Sequence, residues 1–391
     1  MGWQTLRTIR IVQIWHRRKN SYMGLISKLR RHNSFSKALL YSAAIALFTI
    51  SPYAAAQDYP DESQAVAPLF ASHSPLLVTI EAPLTTLMEY RPREEYLDGT
   101  FSFSGVDGTE HTLDLKIRTR GNFRGKKKHC DFAPIRLNFR KKQVVDTEFA
   151  GQDKLKLVTH CRSSDSYYEQ LVLREFLAYR FLNVMTDSSF GVRLLQINYV
   201  DTEGETSMTK FGFVIEDDDA VAERNGMHFI KTGDISSDDI DPRTQNFINV
   251  FQYLVGNTEF SLVRAEPGEY CCHNIDLMSA TKGAPFTPVA YDFDFAGLVN
   301  APYAAPNPRF EIKNVRQRLF RGLCANNELL PDTLQRFTDN KESIYGVVDT
   351  LESLSSQSRR DVTRYLNEFY ESISQPKSVN ASFVKTCNDV L

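Results

Sequence analysis

No stretch of the chain supplies the roughly 20 consecutive apolar residues that a membrane-spanning helix needs. The longest apolar run, Ala38 to Ile50, is about 13 residues. Acidic residues are missing from residues 1–56, which carry nine Lys/Arg, and cysteine is missing until Cys130. There is no Cys-x-x-Cys, no His-Glu-x-x-His, no Gly-x-Ser-x-Gly elbow and no Gly-x-Gly-x-x-Gly loop. Those absences remove the short-spaced zinc modules, the zincin proteases, the α/β-hydrolases and the phosphate loop of ordinary protein kinases. No internal repeat or heptad run is present, which excludes solenoids and coiled coils. The net charge of −2 hides an asymmetry, because residues 57–391 hold 37 basic against 48 acidic groups. A body that acidic has no footprint for sequence-independent nucleic-acid binding.

What is present begins with an address. A basic lead ending at Lys37, the apolar run and Ala54-Ala55-Ala56 together read as a secretory signal over residues 1–56. Met23 is an alternative start that gives a signal of ordinary length, and an uncleaved anchor is the rival reading. The residue directly after Ala56 is Gln57, not cysteine, which argues against a lipoprotein anchor. The expectation is an exported protein, periplasmic or extracellular, with no stable membrane span after cleavage. All six cysteines fall in the mature part, and in an oxidising compartment such cysteines pair. Cys130–Cys161 and Cys324–Cys387 would each close a moderate loop. Cys271 and Cys272 are adjacent, and either pair elsewhere or with each other.

Residues 57–75, rich in Pro, Ser and Ala, read as a flexible lead-in. Alternating or continuous apolar patterns then predict strands at 76–80, 99–103, 112–118, 134–139, 154–159, 192–200 and 209–216. A broad apolar face predicts a helix over 167–184, and further helices are expected at about 243–256, 330–340, 341–355 and 358–374. The whole is read as one domain, 76–391, with a β-rich part at about 76–216 and a mainly helical part at about 217–391. A cleft is expected between them.

Two constellations carry chemistry. Tyr291-Asp292-Phe293-Asp294, read as a strand, puts both carboxylates on one face with Phe293 in the core. With Asn274 they form a hard-oxygen set suited to Mg²⁺. The alternative is that the two Asp residues brace a turn. The second constellation is basic: a strand through Arg118 and Arg120 enters the loop Gly121–Lys128, and Arg136 lies on the next strand. Arg118 and Arg120 could take phosphate through fork-shaped contacts or sit on a solvated hairpin, and Lys126–Lys128 read as a solvated tip. Glu216-Asp217-Asp218-Asp219 reads as a solvated acidic turn.

These residues also carry a resemblance. Arg118-Thr119-Arg120-Gly121-Asn122, a basic-aliphatic strand, a helix, Gly212-Phe213-Val214-Ile215-Glu216, Asn246-Phe247-Ile248-Asn249-Val250, His273-Asn274 and Tyr291-Asp292-Phe293-Asp294 follow in that order. The order resembles the CotH kinase-like family of spore-coat and secreted proteins over roughly residues 110–300. The resemblance implies an α+β, two-lobed atypical kinase-like fold that binds Mg²⁺ and ATP and transfers phosphate to an envelope or coat protein. It implies that Asp292 or Asp294 and Asn274 hold the metal. Arg136, or else Lys156, would present a cation to the phosphates and pair with Glu175, while Glu216 would lie near the adenine. Glu259, in Gly256-Asn257-Thr258-Glu259, stands where the family pattern has a catalytic Asp. A silent envelope-binding protein is the alternative, and a Mg²⁺-dependent phosphohydrolase a third reading. Oligomeric state is not legible.

Overall fold

Seven of the predicted strands exist, and they close on themselves. A computed structural model describes residues 66–390, so the signal reading at 1–56 lies outside the described residues. Strands β1 (Leu76–Ala82), β2 (Leu97–Ser104), β3 (Glu110–Thr119), β4 (Ile135–Phe139), β5 (Lys154–Val158), β6 (Val192–Asp201) and β7 (Ser207–Ile215) form a closed barrel in the order β1-β2-β3-β4-β5-β7-β6. All neighbours are antiparallel except β1 and β6, which run parallel with Leu76 opposite Leu195.

Period-two burial drives the closure. Leu113, Leu115 and Ile117 of β3 and Ile135, Leu137 and Phe139 of β4 point inward with Val78, Ile80, Phe101 and Ile197. Burying one face of every strand in one interior, with no free edge, is the barrel solution to an amphipathic sheet. The expected two-lobed kinase-like fold is therefore wrong: the β-rich half is a closed mixed seven-stranded barrel. Strand alternation is local, whereas the β1–β6 pairing that closes the barrel joins residues more than a hundred positions apart.

The helices are α1 (Pro68–Ala71), α2 (Leu84–Tyr90), α3 (Tyr167–Asn183), α4 (Asp218–Arg224), α5 (Pro242–Val255), α6 (Leu330–Asp339), α7 (Lys341–Thr350), α8 (Ser356–Ser374) and α9 (Pro376–Val379). A three-stranded sheet, β8 (His228–Ile230), β9 (Ile275–Ser279) and β10 (Thr287–Ala290), lies among them in the order β10-β9-β8. Leu69 and Phe70 of α1 are buried, so residues 68–71 of the expected flexible lead-in are packed structure.

Helix α3 packs on β6 and β7 and is buried along most of its length. Its apolar residues join α5, α8 and the small sheet in a second core outside the barrel. Helix α5 starts at Asp241, which accepts the Thr244 N–H, and ends at Gly256 in the left-handed region, φ 67°. A Cβ there would collide with the Tyr365 hydroxyl. Only glycine ends the helix and lets residues 257–259 turn back to the barrel. Arg318 donates to the carbonyls of Tyr253 and Leu254 at this helix end, and Arg321 to those of Thr258 and Phe260.

All six cysteines are paired, as Cys130–Cys161, Cys271–Cys272 and Cys324–Cys387. Among the described residues no helix is long and apolar enough to cross a membrane.

Candidate functional site

The loop that leaves β3 meets the segments before β9 and after β10 around a cleft of about 420 Å³. At its floor is Arg124, 7% exposed, whose role the sequence reading missed. Its Nη1 donates to Glu175 Oε2 at 3.1 Å and its Nε lies 3.1 Å from Asp294 Oδ2. Its Nη2 also comes within 3.8 Å of Asp292 Oδ1. The cation paired with Glu175 is thus Arg124, not Arg136 or Lys156. Arg136 makes no salt bridge among the described residues, and Lys156 pairs with Asp218 at 2.7 Å.

Asp292 and Asp294 do share the cleft, but not as strand residues. β10 ends at Ala290, and Asp292 sits in the left-handed region with φ 57°. Its N–H donates to the Tyr179 hydroxyl at 2.9 Å, while Phe293 is fully buried against Tyr179 and Phe251. Asp294 also accepts from the Tyr303 hydroxyl at 3.2 Å. Opposite, Asn274 (φ 55°) donates from Nδ2 to the Glu259 carbonyl at 2.7 Å, which leaves its Oδ1 as an acceptor on the cleft wall. The Glu259 carboxylate lines the same wall.

The charges do not balance. Four carboxylates, Glu175, Glu259, Asp292 and Asp294, face Arg124, Arg120 and Lys156, and Lys156 is already paired with Asp218. Burial pushes Glu175 up to about 8, against the pull of Arg124 and with the help of Asp294 and Asp292. Burial raises Asp294 to about 6 against the same guanidinium. Burial, then Asp294 and Asp292, raise Glu259 to about 8. Arg124 is itself held more firmly protonated, because Asp294 and Glu175 outweigh its burial.

A pH dependence with a definite sign follows. Glu175 and Asp294 bind protons more tightly folded than unfolded, so the native state holds the extra protons between their ordinary values, near 4, and about 8. Their stabilising contribution is complete below that window and is lost as pH rises through it, by on the order of 2 kcal/mol. Urea midpoints taken at about pH 5 and about pH 8 are expected to fall with pH. A midpoint that rises instead contradicts this description of the site.

Arg120, at the start of the same loop, makes no salt bridge among the described residues. Burial, with Arg124 and Arg136 nearby, pulls its pKa down against the attraction of Asp292. Strand register extends this positive side. Arg118 lies opposite Arg136 and Arg136 opposite Lys156, so three cations sit on adjacent strands β3, β4 and β5, about 4.8 Å apart across the sheet. Lys156 and Arg120 also line a smaller cavity of about 80 Å³ with Glu175, Tyr179, Tyr291 and Asp292. Arg118 is partly occupied, donating to the Arg93 carbonyl and lying over the Tyr96 ring.

Glu216 is not at the cleft. It is buried in an ion pair with Arg224 and accepts the Gly191 N–H at 2.8 Å. Asp217 caps α4 and Asp218 holds Lys156, so the acidic turn, exposed at Asp217 and Asp219, is also a structural brace.

A hard cation fits this set in one way. Among the described residues no three His, Cys, Asp or Glu side chains converge at metal-ligand distance. Asp294 Oδ2 is already engaged by Arg124 and Tyr303. The half-exposed Asp292 carboxylate and Asn274 Oδ1 remain as donors, with the Glu259 carboxylate on the same wall. Two protein oxygens, completed by water and phosphate, is how Mg²⁺ is commonly held.

No family model matches the chain, and no curated protein matches its sequence.

Proposed function

We propose that the cleft binds a Mg²⁺-coordinated nucleoside triphosphate and transfers its terminal phosphoryl group to an acceptor hydroxyl. The carrying observation is the paired surplus of charge: carboxylates in excess around Arg124, and the unpaired cations Arg120 and Arg136 beside them. The first asks for a cation and the second for an anion, and a metal–phosphate ligand supplies both. The order of motifs that resembles the CotH kinase-like family supports the same chemistry. The two-lobed architecture it implied is no part of the proposal.

Asp292 and Asn274 Oδ1 would hold Mg²⁺, which when bound neutralises phosphate charge. Arg120, Arg136 and Lys156 would take phosphate oxygens, and Arg124 would fix Asp292 and Asp294 in place. Glu259 would accept the acceptor's proton, and a carboxyl raised to about 8 is a competent base near neutrality. The acceptor oxygen bonds to the terminal phosphorus as the bond to the bridging oxygen breaks, and the diphosphate leaves. Phosphoryl transfer asks for this kind of positioned charge and little covalent chemistry. The disulfides and the leader-like residues 1–56 support an exported protein, and the resemblance alone suggests an envelope or coat protein as acceptor.

The test is thermal unfolding of the oxidised chain with and without Mg²⁺·ATP. A ligand at ~100 times its Kd stabilises by about 2.7 kcal/mol, a shift of a few degrees at this size. The shift is expected in the wild type and lost in Asp292→Asn/Asp294→Asn. No shift at millimolar Mg²⁺·ATP overturns the reading.

A further inference from the structure

Helix α3 has a second working face. Glu175 and Tyr179 line the smaller cavity described above, whereas Phe176 and Arg180, one turn apart, line a different cleft of about 420 Å³. Pro75, Phe176, Val347 and Leu351 give it apolar walls.

Its polar content is cationic. Arg180 is 8% exposed, and its side chain makes one hydrogen bond, from Nη1 to Asn183 Oδ1 at 3.1 Å. No carboxylate lies within 4.0 Å of it among the described residues, and burial pushes its pKa down to about 10. Arg193 on β6 is 6% exposed, and among the described residues it makes no salt bridge and its Nε has no hydrogen-bond partner. His73, on the cleft wall, lies near both: burial lowers its pKa and the charges of Arg180 and Arg193 lower it further. Glu352 is exposed at the cleft and Glu148 acts on Arg193 only from a distance; neither forms an ion pair with these arginines.

A buried guanidinium with no counter-ion costs several kcal/mol. Arg180 on the cleft wall, with Arg193 close enough behind it to act on the same histidine, describes a site whose missing component is an anion. We infer that this cleft binds a small amphiphilic oxyanion, a carboxylate or phosphate monoester carrying an apolar group. Its charged head is taken by Arg180, with Arg193 and His73 beside it, and its apolar part lies on Phe176, Val347 and Leu351. The fork of Arg180 suits a planar carboxylate or two phosphate oxygens. The site is independent of the phosphoryl-transfer reading.

Calorimetric titration of the full oxidised chain tests it. The probes are benzoate and phenyl phosphate, which separate the two kinds of head, and inorganic phosphate, which supplies a head without an apolar body. At least one aromatic probe is expected to bind one-to-one with a Kd of about 1 mM or lower, and more tightly than inorganic phosphate. Arg180→Gln should weaken it at least tenfold, and Arg193→Gln should weaken it less. Arg120→Gln, in the other cleft, should leave it within about twofold. If Arg180→Gln does not fold, Arg180→Lys keeps the charge and loses the fork, and a several-fold loss of affinity is expected. No binding of either aromatic probe at about 10 mM overturns the proposal. So does undiminished affinity in a folded Arg180 variant, or loss of binding in Arg120→Gln.

Discussion

Replacing Arg124 by Met is expected to destabilise the protein by about 3–5 kcal/mol, because it leaves two buried carboxylates without their cation. Glu175 is 1% exposed and Asp294 5%, and both depend on this one guanidinium. The loss should shrink at low pH, since a protonated Glu175 or Asp294 no longer needs a counter-ion. Urea unfolding at about pH 5 and about pH 8 separates this from a packing defect, which would cost the same at both. An equal loss at the two pH values would show that Arg124 acts by volume, not charge. Glu175→Gln in the Arg124→Met background should recover part of the stability, because it removes one of the stranded charges.

The second large effect concerns Cys130–Cys161. This bond closes a loop over a separation of 31 residues and ties the end of the Arg120–Arg124 loop to the segment entering α3. Backbone contacts repeat the tie, since the N–H groups of Asp131 and Phe132 donate to the Cys161 carbonyl. Loop-closure entropy alone predicts a loss of about 3–4 kcal/mol for Cys130→Ala/Cys161→Ala. The double variant is expected to unfold at a correspondingly lower urea concentration and to bind Mg²⁺·ATP more weakly. Cys324→Ala/Cys387→Ala, remote from the cleft, should lose stability without that change in affinity. Equal loss of binding in both would mean that the tether does not position the site.

Much of this was legible because it was local. Alternation placed the strands of the barrel, and the apolar face of residues 167–184 placed α3. The pairing of Cys130 with Cys161 and of Cys324 with Cys387 agrees with the loop lengths. Closure was not legible: the Leu76–Leu195 pairing has no trace in either segment taken alone. Arg124 was hidden for a related reason. It stands in a run of six basic residues between Arg118 and Lys128, and only tertiary packing separates the buried one from its exposed neighbours Lys126, Lys127 and Lys128. The Asp292–Asp294 pair shares one cleft, but not by the strand geometry expected of it. A left-handed Asp292, not a strand, turns the two carboxylates to the same side of buried Phe293. A positive φ at a non-glycine residue leaves no mark in the composition.

The barrel's parallel seam has a consequence for the order in which the chain can fold. β1 is the first strand of the described residues to emerge from any machine that delivers the protein N-terminus first. One of its edges is satisfied soon afterwards by β2. The other must wait for β6, more than a hundred residues later. Until then the nascent sheet has an open side and cannot bury its interior. A chain with that schedule stays open while it is being delivered, and locks only once most of the barrel has arrived.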